Sequence, residues 1–109
     1  MNVRKTDDFI ADIEQQYDWY VANADWDVAD YYLDSVQATC QLLGMQPGLG
    51  PLAGFAHARL RDGRFFLVFR PFRKHVLFYE IRSGEVVKRR AMHGHRDLPG
   101  RLLETSKWD

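Results

Sequence analysis

The sequence predicts an α+β domain, an N-terminal strand and an antiparallel helical hairpin packed on a C-terminal antiparallel β-meander. Three observations predict it. Apolar residues recur at helical spacing through the first 45 or so positions, and alternate at strand spacing after residue 63. Between them lies Pro47-Gly48-Leu49-Gly50-Pro51-Leu52-Ala53-Gly54, whose prolines and glycines punctuate any regular element. The 109 residues suit one compact domain, 1–109, and leave no room for two. Helices first and strands later are the pattern of helices gathered on one face of an antiparallel sheet.

Val3 to Lys5 reads as a short opening strand. Thr6 is the expected N-cap of the first helix, with Asp7 and Asp8 at the positive end of its dipole. Phe9/Ile10, Ile13, Tyr17, Tyr20/Val21 and Ala24 form its apolar stripe, and Asp8, Asp12, Glu14, Gln15 and Asp18 its polar face. Asn23-Ala24-Asp25 breaks the pattern, and Asp25 caps a second helix with stripe Ala29, Tyr32/Leu33, Val36, Cys40 and Leu43. Gly44 is expected to close that helix in the left-handed conformation, with Pro47 preventing its resumption.

Arg64 to Phe69 reads as the next strand, after the Asp62-Gly63 turn pair, with Ala58 to Arg61 folding back as an extension and Pro71 ending the strand near Arg70. His75 to Arg82 follows, with His75, Leu77, Tyr79 and Ile81 on one face and Val76, Phe78, Glu80 and Arg82 on the other. Ser83-Gly84 is a two-residue hairpin turn. Val86 to His93 is the last long strand, with Val86, Lys88, Arg90 and Met92 on one face and Val87, Arg89, Ala91 and His93 on the other. Leu98 to Glu104 forms a closing helical turn, started at Asp97.

Composition narrows the function. No stretch approaches the ~18 apolar residues of a membrane span, and the polar, acidic start is not that of a signal peptide. The single cysteine, Cys40, excludes an internal disulfide, fits a reducing cytoplasm and sits in the apolar helical stripe. Charge is divided sharply: residues 1–55 carry 2 Lys/Arg against 9 Asp/Glu, and residues 56–109 carry 13 against 6. Such a split either aims an acidic and a basic layer at different partners or lets the two halves pair across one surface.

Lys88, Arg89, Arg90, His93, His95 and Arg96 crowd positive charge into nine positions. A cationic strand face binds phosphates or an acidic partner segment through charge-assisted hydrogen bonds. The alternative is that these residues pair with the helical acids and keep an edge strand soluble. His93 reads either as an acid–base group titrating near neutrality or as a strand-end residue fixing the Gly94 turn. Were the chain a ribonuclease, His93, Arg96 and Arg89 would be its catalytic candidates: histidine moves protons and the arginines steady the phosphorane. His75, His93 and His95 lack finger-like spacing, so neither metal nor other cofactor is expected. Trp19 and Tyr31 are the most exposed of the helical aromatics, and with Arg70 and Arg73 are the expected contacts for a protein partner.

The stretch Arg70-Pro71-Phe72-Arg73-Lys74-His75-Val76-Leu77-Phe78-Tyr79-Glu80 resembles the strand-turn-strand of ParE-like toxins, whose second strand ends in an aliphatic-Phe-Tyr triplet. Ala91-Met92-His93-Gly94-His95-Arg96-Asp97-Leu98-Pro99 resembles that family's last strand and its His-Gly-x-Arg-Asp ending. Asp34 to Gly50 is similar to its second helix and Pro-x-x-Gly loop. The likeness covers nearly the whole chain in the right order. It implies the toxin of a type II toxin–antitoxin pair, of the plasmid-stabilising kind, neutralised by a cognate ParD-like antitoxin in a hetero-oligomer. In the ParE-like branch the implied target is DNA gyrase, inhibited by binding, with Lys88, Arg89, Arg90, His93 and Arg96 as target contacts. In the RelE-like branch it is messenger RNA, cut on the ribosome without a metal. No tyrosine follows Tyr79, which favours the ParE-like branch, because the cutting branch often uses one near its C-terminus. A third reading is a scaffold that has kept the fold and lost toxicity.

Overall fold

The computed structural model describes residues 2–54 and 61–94. Strand β1 (Asn2–Lys5) leads into α1 (Asp7–Asn23) and α2 (Trp26–Met45), a single 3-10 turn at Pro47–Leu49, and strands β2 (Arg64–Leu67), β3 (His75–Arg82) and β4 (Glu85–His93). Among the described residues the four strands form one sheet in the order β1-β4-β3-β2. β2–β3 and β3–β4 are antiparallel and β1 lies parallel to β4, so the sheet is mixed and the meander acquires a non-local fourth strand. The expected α+β architecture of a helical hairpin on this sheet is what the chain adopts.

Both helix starts follow from local chemistry. Thr6 Oγ1 accepts from the Phe9 amide at 3.1 Å and Asp25 Oδ1 from the Val28 amide at 2.8 Å, each satisfying an orphan donor of a first turn. The Ser83-Gly84 turn also forms, with φ of 50° and 78° at its two residues, the positive pair that matches the twist of a two-residue hairpin.

The expected end of α2 needs correcting. Gly44 lies inside the helix, which runs to Met45 and is capped at Gln46. A Cβ at Gly44 would lie 3.0 Å from Val3 Cγ2, so the glycine makes room for β1 rather than for a left-handed turn. β2 also stops earlier than expected, at Leu67, because the Phe69 amide is drawn to Thr39 Oγ1 on α2 at 3.2 Å. The extension expected at Ala58 to Arg61 lies almost wholly outside the described residues. Gly63–Phe65 instead pair with Pro51–Ala53, through Ala53 N to Gly63 O at 2.9 Å and Phe65 N to Pro51 O at 3.2 Å.

The core joins Phe9, Tyr32, Val36, Cys40 and Leu43 of the helices to Leu77, Tyr79 and Val86 of the sheet and Val68 and Phe72 beside it. Each such aliphatic or aromatic side chain removed from water contributes about 2 kcal/mol. Val76, Phe78, Glu80, Val87 and Arg89 are buried as well, outside that cluster, so the sheet is covered on both faces. No helix among the described residues is long and apolar enough to cross a membrane.

Candidate functional site

Three groups of residues hold the chemistry of this chain: the basic run of β4, the aromatic–histidine cluster where β3 and β4 meet α1 and α2, and the loop after α2.

The basic run does not form the expected shared surface. Opposite Phe78 and Tyr79 the ladder slips, so that Phe78 pairs with Arg90 and Tyr79 with Lys88, leaving Arg89 as the extra residue of a bulge. Strict alternation fails there, and the three cations go three ways. Lys88 is 4% exposed, with its ammonium 5.3 Å from the centroid of the Phe9 ring. Arg89 is buried, and donates through Nε and Nη2 to Glu80 Oε2 at 3.3 and 3.2 Å. Arg82 reaches the same oxygen at 2.6 Å. Arg90 clasps Asp12 of α1 with two bonds, Nε to Oδ2 at 2.7 Å and Nη2 to Oδ1 at 2.9 Å.

These pairs have a topological cause. β1 covers β4 only as far as Lys88, so the edge beyond would carry unmet backbone groups. The Thr6 amide donates to the Lys88 carbonyl at 3.1 Å, and the Thr6 hydroxyl to that of Arg89 at 2.9 Å. Asp12 Oδ2 accepts from the Ala91 amide at 3.0 Å. The polar side of α1 thus serves as the missing strand, and Asp12–Arg90 joins the acidic half of the sequence to the basic half. His93 is exposed at the end of β4, while His95, Arg96 and Asp97 lie outside the described residues.

At the other end of the helices, His75 Nε2 lies 2.8 Å from Tyr20 Oη. The His75 ring packs against Tyr32 at 4.9 Å and His93 at 4.8 Å between centroids. Burial, aided by His93, lowers the His75 pKa from 6.5 to about 4, so the ring is neutral near pH 7. Burial also raises the Tyr20 phenol. The Gly94 amide donates to the Lys74 carbonyl at 2.7 Å, with φ of 83° at Gly94, which pins the strand end beside this cluster. Sequence alternation brings His75 and His93 to attention separately; Tyr20 as their neighbour is legible only in three dimensions.

The four expected partner contacts border the same cluster. Tyr31 stands edge-on to Phe72 at 5.3 Å, and Trp19 packs on Tyr20, itself 5.7 Å from Phe72. Phe72 is buried between exposed Arg70 and Arg73 on the turn joining β2 to β3. Trp19 and Tyr31 are 56% and 54% exposed; Trp26, at 64%, is more exposed than either and was not singled out by helical spacing.

The Phe-Tyr motif has a structural task. Tyr79 Oη accepts from the Gly50 amide at 2.9 Å and donates to the Pro47 carbonyl at 2.7 Å, tying the Pro-x-x-Gly loop to the sheet. Arg64 Nη1 donates to the Gly50 carbonyl at 2.8 Å. A Cβ at Gly50 would come within 2.5 Å of Tyr79 Oη and 2.6 Å of the Phe65 carbonyl, so only glycine fits. Among the described residues no three His, Cys, Asp or Glu side chains are grouped so as to hold a metal ion.

A helical hairpin on a small mixed sheet, with exposed Trp19 and Tyr31 beside exposed Arg70 and Arg73, defines a small α+β protein. The chain belongs to the ParE toxin family of type II toxin-antitoxin systems (parDE), whose model matches residues 3–98. Its fold is similar to a solved chain described as "Chromosomal ParDE TA system from P. aeruginosa". That similarity has a TM-score of 0.72 at 16% identity and covers 87% of this chain and 97% of the other. No curated protein sequence matches the chain.

Proposed function

We propose that this ParE-type toxin acts by binding, with DNA gyrase as its target, and is held inactive in the cytoplasm by an antitoxin encoded beside it. The observation that carries the choice between binding and cutting is the commitment of Lys88, Arg89 and Arg90. Metal-independent RNA cleavage needs cations presented to the phosphorane together with a proton donor and acceptor. Arg89 and Arg90 are joined to Glu80 and Asp12 instead, and Lys88 is buried. In this reading the target contacts are His93, exposed at the end of β4, and Arg96, which follows it in sequence.

The antitoxin meets the exposed aromatic patch of Trp19 and Tyr31 and the flanking Arg70 and Arg73. Aromatic residues with arginines at their rim are the usual anchors of a protein interface. Opposite charge on the partner makes its association fast and salt-sensitive.

Expression without the product of the adjacent reading frame tests the reading. Growth arrest with a DNA damage response and accumulated gyrase cleavage complexes is the expected result, abolished by R96A. Cuts at codon positions in translated messages would assign the ribosome as target, and unimpaired growth would mark a chain that has lost toxicity.

A further inference from the structure

Between β1, α1 and α2 lies a groove of about 410 Å³, lined by neither Trp19 nor Tyr31. Its walls are apolar: Ile10 and Ile13 on α1, Leu33 on α2 and Val3 on β1. Ile10 and Val3 remain 41% and 43% exposed beside it. Lys88 lines the same groove, although it is almost fully buried.

That lysine is the anomaly. Its side chain is almost fully buried, with the ammonium beside the Phe9 ring and close to the Cys40 thiol at the wall of the groove. Among the described residues no carboxylate pairs with it, in contrast to Arg89 and Arg90 beside it on the strand. An ammonium held at an apolar wall without a counter-charge has lost part of its hydration, and an aromatic face returns only some of it. Burial pushes the Cys40 thiol up against the pull of Lys88 and, more weakly, Lys5, so the thiol is no anion to balance either. Lys5, exposed at the mouth, adds a second positive charge, and Glu14 is the acid on the rim.

We infer that this groove receives an apolar segment of the antitoxin bearing one carboxylate, which seats on Lys88 while its apolar neighbours cover Val3, Ile10 and Leu33. One occupant then meets both demands of the site, a counter-charge for the ammonium and cover for the exposed aliphatic residues. All the charged residues of α1 and α2 are acidic, so an acidic tract would be repelled; a single Asp or Glu between apolar residues is the chemistry that fits. This rests on the antitoxin reading above and adds to it a second point of contact.

The test uses the whole chain and the whole product of the adjacent reading frame, with affinities from titration calorimetry. K88M keeps length and volume without the charge, and I10S alters the rim without touching the core. Each is expected to weaken the complex at least ~10-fold, while K88M does not lower the Tm of the free chain. Changing each antitoxin Asp or Glu singly to Asn or Gln should find one whose loss costs a similar factor in the wild-type complex and nothing further with K88M. A complex that forms with unchanged affinity for both variants, or with no such coupled carboxylate, overturns the inference and leaves the antitoxin reading standing. Self-association of the free chain that K88M abolishes, with the complex unaffected, assigns the groove to a second copy and also overturns it. Absence of any complex overturns the antitoxin reading itself, and this partner with it.

Discussion

Two basic segments of this chain look alike in sequence and differ in the folded molecule. Lys88-Arg89-Arg90 on β4 and Arg70-Pro71-Phe72-Arg73-Lys74 on the turn between β2 and β3 each supply three cations. On β4 both arginines meet carboxylates, Glu80 and Asp12, and all three residues are wholly or largely buried. On the turn all three cations are exposed, and among the described residues none is in an ion pair. The difference teaches that local charge density does not make a binding surface. A bulge and an uncovered strand edge consumed one cluster for folding; the turn between β2 and β3 left the other exposed.

The comparison can be broken most directly at Arg89. R89A strips a buried carboxylate of one of its two cations, which should cost about 3 kcal/mol of stability in chemical denaturation. A loss below about 0.5 kcal/mol would mean that Arg82 alone satisfies Glu80. D12A removes the bidentate partner of Arg90 and the acceptor of the Ala91 amide together. It should cost a similar amount, and amide exchange should accelerate at Ala91 rather than uniformly along β4.

His75 sharpens the contrast by pH. Its folded pKa, about 4, lies below the unfolded value of 6.5, so the unfolded chain binds the proton more readily. The stability due to neutral burial is therefore complete above about pH 6.5 and declines as pH falls towards 4, by up to ~3 kcal/mol. Urea midpoints measured between pH 7.5 and 4 should fall in the wild type, and the decline should be shallower in H75F. Y79F, which removes both hydrogen bonds of the Tyr79 hydroxyl to the Pro-x-x-Gly segment and leaves that of Arg64, should cost about 2 kcal/mol. R70A with R73A marks the small end: a stability change within about 0.5 kcal/mol, yet slower, less salt-sensitive association with the antitoxin. If that pair proves as destabilising as R89A, the distinction between the two basic segments collapses.

Much of the architecture was legible because its signals are local. Thr6 and Asp25 cap their helices with their own side chains, and Ser83-Gly84 takes up the positive φ its hairpin needs, so neighbouring residues suffice to recognise them. His75 to Arg82 forms a strand with the expected bounds, buried over its first six residues. Gly44 misleads for the opposite reason. A glycine near a helix end reads as a cap, and only the approach of Val3, 41 positions away in sequence, shows it to be a packing contact. The candidate site was legible in part: Trp19 and Tyr31 are exposed as their helical positions imply, whereas Trp26 escaped notice and Tyr20 joined His75 only through folding.

By itself the sequence determined the α+β class, the helix starts, the long hairpin and, through its Phe-Tyr and His-Gly-x-Arg-Asp motifs, the family. These depend on periodicity, capping and short motifs, which act over a few residues. Tertiary structure alone decided where β1 docks, that β4 bulges at Arg89, and which cations stay open to a partner. Each of these is fixed by a carboxylate, a strand edge or an aromatic ring brought from 9 to more than 80 positions away. A charge at such a position is available or spent according to what packs against it, and no local pattern records that.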